Sequence, residues 1–338
     1  MSNKKVCVVG AGYWGKNHIR TLYELGALGG IVEMNRKVLT ELAGKYPDVK
    51  TYTKLDDALT NNECTGFTVA TPAETHFNIA KKIIEAKKHV LVEKPLTLNI
   101  KDAEELVKLT DENNVNLMVG HVLLFHPAIL KIKELINEGK IGKLQYIYSN
   151  RLNLGQVRTE ENVFWSLAPH DISIFQFYTE SYPTAVKAHG STFLQEGIHD
   201  STITILEYPD NVRGHIFVSW LHPFKEHRLV VIGSEAMITF DDSTEGKPLK
   251  FYSKKFEFNG KVPEKVDGPV EMIDYDQKMP LTEELKYFID HFDGTKPEIA
   301  NGYHALDVTK ILVAASDQLT PASQGESIKS KAYKVESA

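Results

Sequence analysis

Six short apolar segments alternate with amphipathic segments over the first third of the chain, and this alternation restricts the fold more than any other feature. The apolar segments are KVCVVG, GGIVEM, VKTYT, GFTVAT, HVLVEKP and VNLMVGH. Between them lie stretches such as HFNIAKKIIEAKK and KDAEELVKLTDENN, whose apolar residues recur at helical spacing. Strands that alternate with helices predict an α/β fold with a doubly wound parallel sheet, covered by helices on both faces.

The rest of the chain has a different texture. After the helical segment PAILKIKELINEGK come longer strand-like segments, among them LQYIYSNRLNL, STITILEY, VRGHIFVSW and HRLVVIGS. Several of these alternate apolar and polar residues, which predicts a large, mostly antiparallel sheet with one covered face. Two helical segments, LTEELKYFIDHF and GYHALDVTKILVAAS, follow. A chain of 338 residues is long enough for two domains, and we expect an α/β domain over residues 1–121 and an α+β domain over residues 122–338.

Composition excludes several classes of partner. The net charge of -6 and the isoelectric point near 6.1 argue against a nucleic-acid partner, which usually requires a basic face. No apolar run approaches the length of a membrane span, and the first residues lack the pattern of a secretory signal. The two cysteines, Cys7 and Cys64, have no metal-ligand spacing, so we expect buried, reduced thiols, no metal site and a cytoplasmic protein.

A glycine motif lies between the first predicted strand and the first predicted helix. In GAGYWG, residues Gly10, Gly12 and Gly15 have the spacing GxGxxG that binds the pyrophosphate of a dinucleotide. The first glycine allows a tight turn, the second lets the backbone approach the phosphates, and the third lets helix and strand pack closely. Tyr13 and Trp14 lie inside this turn and belong to the candidate cofactor site.

An acidic residue follows the second predicted strand, about twenty residues after the glycine motif. Glu33 is in position to bind the ribose hydroxyls, and its carboxylate favours NAD over NADP because it repels a 2′-phosphate. Asn35 lies beside it and joins the candidate cofactor residues, whereas the nearby Arg36 and Lys37 would accommodate that phosphate. The alternative is a structural glycine turn followed by a solvated glutamate.

The third group of candidates lies at the end of the GFTVAT strand. Ligands of open α/β sheets bind beyond the carboxyl ends of the strands, so Thr71, Pro72 and His76 are expected to line the cofactor site. A position on the helix surface is the alternative for His76.

The next strand ends in Glu93-Lys94-Pro95, and here the sequence resembles the Gfo/Idh/MocA oxidoreductase family. The resemblance covers essentially the whole chain, through GAGYWG, Glu33, ATPAETH, EKP and a histidine in the β-rich half. It implies an N-terminal Rossmann domain that binds NAD, and a lysine, here Lys94, between the nicotinamide and the substrate. We also assign Glu93 and His121, at the ends of two predicted strands, to the cofactor side.

Lys94 and His170 are the predicted catalytic residues. An ammonium beside an oxidised nicotinamide meets a like charge and loses water, and both effects depress its pKa, so Lys94 would share in proton transfer. A surface lysine is the alternative. The segment ENVFWSLAPHDISIF predicts a partly buried helix that presents His170 and Asp171 on its rim. The family commonly has aspartates where this chain has Ser166 and Ser173, which leaves the proton acceptor open, and His170 would alternatively only pack the helix.

The segment before this helix resembles that of family members that act on nucleotide sugars, the 3-dehydrogenases of UDP-N-acetylglucosamine and of its uronate. This resemblance implies that Arg151, Asn153 and Arg158 face the substrate, since guanidinium groups bind phosphate well. Trp165 would stack on a sugar or a base, or belong to the core. The resulting hypothesis is an NAD-dependent oxidation of the C3 hydroxyl of UDP-N-acetylglucosamine in polysaccharide or lipopolysaccharide biosynthesis.

Other functions remain open at this point. The uronate is a second nucleotide-sugar substrate, and a keto-sugar reductase or a polyol or inositol dehydrogenase would use the same residues. A non-catalytic, dinucleotide-binding sensor is the alternative from another class, although it would need neither Lys94 nor His170. The resemblance also implies homodimers or homotetramers that form through the sheet of the second half.

Overall fold

The computed structural model describes residues 4–155, 157–159 and 161–319. The first sheet consists of the strands β1 (Lys5–Val9), β2 (Leu28–Val32), β3 (Lys50–Tyr52), β4 (Cys64–Val69), β5 (His89–Glu93) and β6 (Leu117–Gly120). All neighbouring strands pair in parallel, in the order β3-β2-β1-β4-β5-β6. Each of the six predicted segments forms one of these strands, which confirms the doubly wound plan.

The helices that connect these strands are α1 (Tyr13–Glu24), α2 (Arg36–Lys45), α3 (Leu55–Leu59), α4 (His76–Glu85) and α5 (Ile100–Asn113). The strand order changes direction between β1 and β4, because β1 lies beside β2 on one side and β4 on the other. At such a point the connecting helices leave to opposite faces, and a crevice opens beyond the carboxyl ends of the strands. The glycine motif lies at this crevice, directly after β1.

The second part of the chain contains a larger, mixed sheet. Its elements are α6 (Pro127–Asn137), β7 (Leu144–Leu152), α7 (Val163–Thr179), β8 (Ala185–Ser191), β9 (Ser201–Glu207), β10 (Arg213–Ser219), β11 (Glu226–Gly233), β12 (Met237–Asp241), β13 (Leu249–Tyr252), β14 (Lys255–Asn259), β15 (Val262–Val266), β16 (Val270–Met272), α8 (Pro280–Asp290) and α9 (Gly302–Leu319). Eight strands pair in the order β16-β13-β12-β11-β7-β10-β9-β8, and β14 and β15 form a separate hairpin. Within the large sheet β7 and β10 are parallel and the other pairs are antiparallel, as predicted.

The strands from β13 to β16 were absent from the sequence prediction. The hairpin strands and β16 are exposed along most of their length. The segment KFEFN of β14 alternates apolar and polar residues, so it did carry a strand signal, whereas VEM of β16 is too short to carry one. Phe256 and Phe258 of β14 are exposed, so the alternation there marks a surface hairpin and not a face of the core.

Helix α7 covers the inner face of the large sheet. The ring of Phe175 packs so closely on β10 that an added Cβ at Gly214 would lie 2.8 Å from it. The outer face is apolar and lacks a covering layer in the described part of the chain. There Ile203 and Ile205 are exposed, and the ring of Tyr148 stacks on that of His215 at a centroid distance of 5.0 Å.

The last part of the described chain returns to the first sheet. The backbone N–H of Val119 in β6 donates to the carbonyl of Ala300, just before α9. Phe292, after α8, stacks on His89 at the start of β5 and lies against Gly66 of β4. Two segments that the sequence assigned to the second domain therefore help to cover the first. None of the helices within the described ranges has the length and apolar character needed to cross a membrane.

Candidate active site

The glycine turn between β1 and α1 needs glycine at two positions for different reasons. Gly10 has φ +89°, and an added Cβ there would lie 2.7 Å from the carbonyl oxygen of Ala70. At Gly15 an added Cβ would lie 2.0 Å from the carbonyl oxygen of Gly10, so only glycine lets the helix pack this closely on the turn. At Gly12 an added Cβ would meet no atom of the described residues within 4 Å, so within this part of the chain the glycine faces open space. A ligand can therefore approach the backbone there.

The beginning of α1 is suited to phosphate. Gly12 caps the helix without a side-chain hydrogen bond, and the first turn carries no acidic residue. The first N–H groups of the helix are thus available to a ligand, and the positive end of the helix dipole favours an anion. Tyr13 is 81% exposed and its ring contacts that of Trp14 edge to face, so both lie at the surface of this turn.

Glu33 is held over the glycine turn by the backbone. Its Oε2 accepts a hydrogen bond from the N–H of Ala11 at 2.8 Å, and its Oε1 accepts one from the N–H of Asn35 at 2.8 Å. Asn35 in turn caps α2, since its Oδ1 accepts from the N–H of Lys37 at 3.0 Å. Each carboxylate oxygen has a second lone pair, which leaves acceptors for two ribose hydroxyls. The side of the crevice formed by Glu33 and the glycine turn, called the cofactor edge here, therefore has residues that fit a dinucleotide.

His76 connects the loops that follow β4 and β5. One ring nitrogen lies 2.9 Å from the carbonyl oxygen of Thr71, and the other lies 2.8 Å from that of Pro95. The side chain is buried, so the alternative position on a helix surface is wrong. Pro72 precedes a short 3-10 helix, and the hydroxyl of Thr71 pairs with that of Thr75 at 2.7 Å. His76 therefore shapes the edge that Thr71 and Pro72 form.

Lys94 lies enclosed at the carboxyl end of β5. Its Nζ donates to the carbonyl oxygen of Ser166 in α7 at 2.9 Å, which joins the two parts of the chain. Burial lowers the pKa of Lys94, and the carboxylates of Glu161 and Glu93 oppose this effect only in part. The preceding Glu93 is held by His18, whose Nε2 lies 2.9 Å from its Oε1. A lysine with a lowered pKa beside the cofactor edge can exchange a proton with a substrate.

His170 and His121 lie in the same enclosed region. Burial lowers the pKa of His170 well below its ordinary value, and the positive charge of Lys94 lowers it further. The Nδ1 atom of His170 has no hydrogen-bond partner in the described structure, and the same holds for both ring nitrogens of His121. Ser173 donates its hydroxyl to the carbonyl of His170 at 2.7 Å, which secures this turn of α7. Both histidines are therefore neutral rings with unused polar atoms.

Arg151 forms a buried ion pair with Asp171. Its Nε donates to Oδ2 at 2.9 Å and its Nη2 to Oδ1 at 3.0 Å, with only 11% and 3% of the two side chains exposed. The third nitrogen, Nη1, lies 3.5 Å from Nδ1 of His227, across the pair of β7 and β11. Asp171 is thus not on the rim of the helix, as the sequence indicated, but turned towards the sheet. The guanidinium of Arg151 is already bound to a carboxylate.

The other predicted substrate residues lie in different surroundings. Arg158 is exposed, and its charge contributes to the lowered pKa of Lys94, so it lies within electrostatic reach of that amine. Asn153 follows β7, and its Oδ1 is enclosed without a hydrogen-bond partner among the described residues. Trp165 donates its indole N–H to the hydroxyl of Ser316 in α9 at 2.7 Å and packs against the core. These contacts correspond to the core position that the sequence left open for Trp165.

Three polar residues of this region were not selected from the sequence. Glu161 acts on the charge of Lys94, His227 adjoins Arg151, and His304 lies beside His121. Burial lowers the pKa of His227 to about 3 and that of His304 to about 4. Each comes from an element distant in sequence from its partner, so no local signal indicates it. Within the described ranges no three His, Cys, Asp or Glu side chains are grouped so that they could hold a metal ion, and Cys7 and Cys64 are buried, free thiols.

The fold and these residues define a class: a dinucleotide-binding oxidoreductase with an enclosed lysine at the carboxyl edge of its parallel sheet. The family model for the oxidoreductase family with an NAD-binding Rossmann fold matches residues 4–121. The model for the GFO/IDH/MocA C-terminal domain matches residues 129–239. The protein belongs to the Gfo/Idh/MocA family of oxidoreductases, which confirms the resemblance and the assignment of NAD to the first domain.

Individual relatives are more distant. The UDP-N-acetylglucosamine 3-dehydrogenase of Acidithiobacillus ferrooxidans is 27% identical over 191 residues, which are 56% of this chain and 59% of that protein. Its solved structure matches with a TM-score of 0.83 at 21% identity, covering 94% of this chain and 98% of that one. The myo-inositol 2-dehydrogenase of Thermotoga maritima is 25% identical over 71% of this chain and 76% of that protein. GenD2 from gentamicin A biosynthesis, solved in complex with NAD, matches with a TM-score of 0.78 at 24% identity, covering 94% of each chain.

Proposed function

We propose that the protein oxidises a secondary hydroxyl of a nucleotide sugar, the C3 hydroxyl of UDP-N-acetylglucosamine, with NAD. The observation that carries this proposal is Lys94, enclosed at the carboxyl end of β5 and bound to the Ser166 carbonyl at 2.9 Å. Oxidation of an alcohol requires a hydride acceptor and a base for the hydroxyl proton. The nicotinamide of bound NAD supplies the hydride acceptor, and Lys94 is the base.

The division of labour between Lys94 and His170 follows from their surroundings. Burial lowers the pKa of Lys94, which increases the fraction of neutral amine that can accept a proton. His170 has its pKa held well below the ordinary value, so it stays neutral and orients the substrate hydroxyl by a hydrogen bond. Ser166 uses its carbonyl on Lys94 and Ser173 uses its hydroxyl on the backbone of His170. Neither serine replaces the aspartate that relatives have, and Lys94 takes the proton.

The nucleotide part of the substrate is assigned to Arg158. Its side chain is exposed and lies within electrostatic reach of Lys94, and its guanidinium can bind a diphosphate oxygen of the substrate. Arg151 was expected to share this task, but its pairing with Asp171 gives it a positioning role beneath His170. The similarity to a UDP-N-acetylglucosamine 3-dehydrogenase supports the choice of sugar. A 3-keto product would suit a subsequent amino transfer in polysaccharide or lipopolysaccharide biosynthesis.

A polyol dehydrogenase is the second candidate function, and the ion pair of Arg151 favours it. Because Arg151 is occupied by Asp171, the strand offers less free positive charge to a diphosphate than the sequence indicated. The similarity to a myo-inositol 2-dehydrogenase points in the same direction. The two candidates differ in their need for Arg158, since a free polyol carries no phosphate.

The test is NADH production with a panel of UDP-N-acetylglucosamine, its uronate, UDP-glucose, myo-inositol and scyllo-inositol. We expect turnover with UDP-N-acetylglucosamine, and for Arg158→Ala a KM raised about tenfold with little change in kcat. Arg20→Ala, at an exposed position of α1 outside the candidate substrate residues, is the matched control and should change neither constant. Turnover of an inositol alone, unaffected by Arg158→Ala, would replace the first candidate by the second. Absence of turnover with every substrate would favour the dinucleotide-binding sensor.

We further propose that the protein forms homodimers or homotetramers through the outer face of the large sheet. Ile203 and Ile205 of β9 lie opposite Phe217 and His215 of β10, and Tyr148 of β7 continues this apolar face. Exposed apolar patches of this kind usually mark an interface. Light scattering at micromolar concentration should give twice or four times the mass of the chain, and Ile203→Lys should lower it. A monomer of the unchanged protein would contradict this assembly.

A further inference from the structure

His121, beneath the candidate active site, has unusual surroundings. It follows β6, is only 1% exposed, and neither of its ring nitrogens has a hydrogen-bond partner in the described structure. The charge of Lys94 reaches it, and it acts in turn on His170. A buried polar atom without a partner is destabilising, because it has lost its hydrogen bonds to water, so such atoms call for a ligand, a bound water or a functional reason.

A second histidine lies beside His121. The ring of His304, in α9, has its centroid 5.7 Å from that of His121. A hydrogen bond with the backbone of Ser173 ties this ring to α7. The residue is partly exposed, yet its Nε2 is enclosed and has no partner in the described structure. The His304 side chain thus has a buried ring nitrogen, Nε2, and a part that is exposed to solvent.

The exposed side of His304 lines a groove of about 500 Å³, called the rear groove here. It runs between the ends of α6 and α7 and the beginning of α9, and it includes Gln176, Glu298 and Asp307. None of the predicted cofactor or substrate residues lines it. The Oε1 of Gln176 is another enclosed acceptor without a described partner. Polar atoms without a described partner therefore occur on His121, on His304 beside it, and on Gln176, and the last two residues line a groove open to solvent.

We propose that His121 and His304, with water between them, carry the proton of the reaction from Lys94 to the rear groove. This inference rests on the proposed function, since Lys94 must be the proton acceptor. The C–H bond at the reacting carbon breaks and its hydrogen leaves as a hydride, for which bound NAD would be the acceptor. The hydroxyl O–H bond breaks, its electron pair forms the C=O bond, and its proton forms an N–H bond on Lys94. Lys94 then passes one proton to a nitrogen of His121, which releases a proton from its other nitrogen towards His304. His304 releases it to water, so that ketone, NADH and one proton are formed.

Imidazole rings are suited to this task because a neutral ring accepts on one nitrogen and donates from the other. Burial lowers the pKa of both His121 and His304, so each ring is neutral when a proton arrives and holds it only briefly. Glu298 and Asp307 face the groove end and favour the departure of positive charge. On the other side, bound substrate and cofactor cover Lys94, which makes a second exit useful.

The first test removes the outer histidine. His304→Ala should lower kcat about tenfold and increase the solvent deuterium isotope effect, whereas the Kd of NAD stays unchanged. Imidazole added to this variant should restore kcat, because it can enter through the rear groove. His304→Gln serves as a second variant that retains polar contacts, and it should also be slow. His291→Ala, at a partly buried histidine outside the groove, should show neither the loss nor the rescue.

The second test needs no sugar. Exchange of the C2 hydrogen of His121 in D2O, measured by mass spectrometry in the NAD complex, reports on access of water to this ring. His304→Phe should slow this exchange several-fold, because the ring fills the inner end of the rear groove. Equal exchange in the two proteins, or an unchanged kcat in His304→Ala, would overturn the proposal. If the unchanged protein oxidises no sugar or polyol, the proposed function fails, while the exchange still decides whether water reaches His121 through the groove.

Discussion

The cofactor edge of the crevice differs in its contacts from the opposite side, called the substrate edge here, where Lys94 of β5 meets Ser166 of α7. At the cofactor edge, short-range backbone contacts dominate: Glu33 is held by the N–H of Ala11, 22 positions earlier, and the phosphate site is the beginning of a helix. At the substrate edge, the bond from Lys94 to Ser166 spans 72 positions and joins the two parts of the chain. We infer that cofactor binding depends on local sequence, whereas catalysis depends on how the two parts pack.

The largest expected effect concerns the substrate edge and the stability of the chain. Arg151→Ala leaves the carboxylate of Asp171 buried without a counter-charge, and such a loss typically costs about 3–5 kcal/mol. Urea denaturation should show this decrease in the free energy of unfolding. Arg213→Ala, which removes an exposed partner of Glu207 at 3.6 Å, is the control and should cost at most about 1 kcal/mol. Equal effects of the two substitutions would mean that the Arg151 pair is not buried.

The second prediction separates chemistry from cofactor binding. Lys94→Met should lower kcat at least about a hundredfold, because the hydroxyl proton loses its acceptor. The Kd of NAD, measured by calorimetry, should stay within about twofold, since the contacts of Glu33 and the glycine turn remain. Lys108→Met, at an exposed lysine of α5, is the control. Near-normal turnover of Lys94→Met would remove this residue from the mechanism and reopen the sensor function.

The pH dependence of kcat/KM should follow the titration of the Lys94 amine. Its pKa lies below the ordinary value because of burial, and the neutral amine is the active form. Activity should therefore rise with pH, about tenfold per unit, and level off at a pH below the ordinary lysine value of about 10.4. His170 is already neutral over this range, so no inflection near pH 6.5 is expected from it. Absence of the rise in kcat/KM would contradict the role of Lys94.

A smaller effect is expected from the acidic residue at the cofactor edge. Glu33→Ala removes the acceptors for the ribose hydroxyls and the charge that repels a 2′-phosphate, so the preference for NAD over NADP should fall about tenfold. Calorimetry with both cofactors measures it. Turnover should recover at saturating NAD, because Lys94 is untouched. Equal affinities of the unchanged protein for NAD and NADP would contradict the assignment.

The smallest effect distinguishes the two kinds of glycine in the turn. Gly12→Ala adds a Cβ that meets no atom within 4 Å in the described ranges, so the free energy of unfolding should stay within about 1 kcal/mol of its value. NAD should bind about fivefold more weakly, because this Cβ lies where the pyrophosphate approaches. Gly15→Ala should instead destabilise the chain, since its Cβ would lie 2.0 Å from the carbonyl oxygen of Gly10. Thermal unfolding with and without NAD compares the two variants.

The local sequence was sufficient for most of the cofactor half. Strands that alternate with helices, the spacing of Gly10, Gly12 and Gly15, and an acid after the second strand each leave a pattern in a short stretch of sequence, although some of the contacts behind them, such as that of Gly10 with Ala70, are long-range. The family model over residues 4–121 confirmed the NAD-binding fold that they indicated. The strands after β12 were missed: β13 and β16 have only four and three residues, and β15 contains a proline. The alternation in KFEFN of β14 was a signal that could have indicated its strand.

The tertiary structure alone decided the surroundings of the substrate edge. The sequence presented Arg151 as free charge, but packing of α7 on the sheet brings Asp171 to it and neutralises it. The sequence allowed Trp165 either to stack on a sugar or to belong to the core. In the structure its indole N–H donates to the hydroxyl of Ser316 in α9, which holds the ring against the core. The sequence did not indicate a functional role for His304, since that role depends on its contact with the buried His121. Periodicity and spacing report which residues share a face, whereas the partner of a buried charge depends on which faces meet.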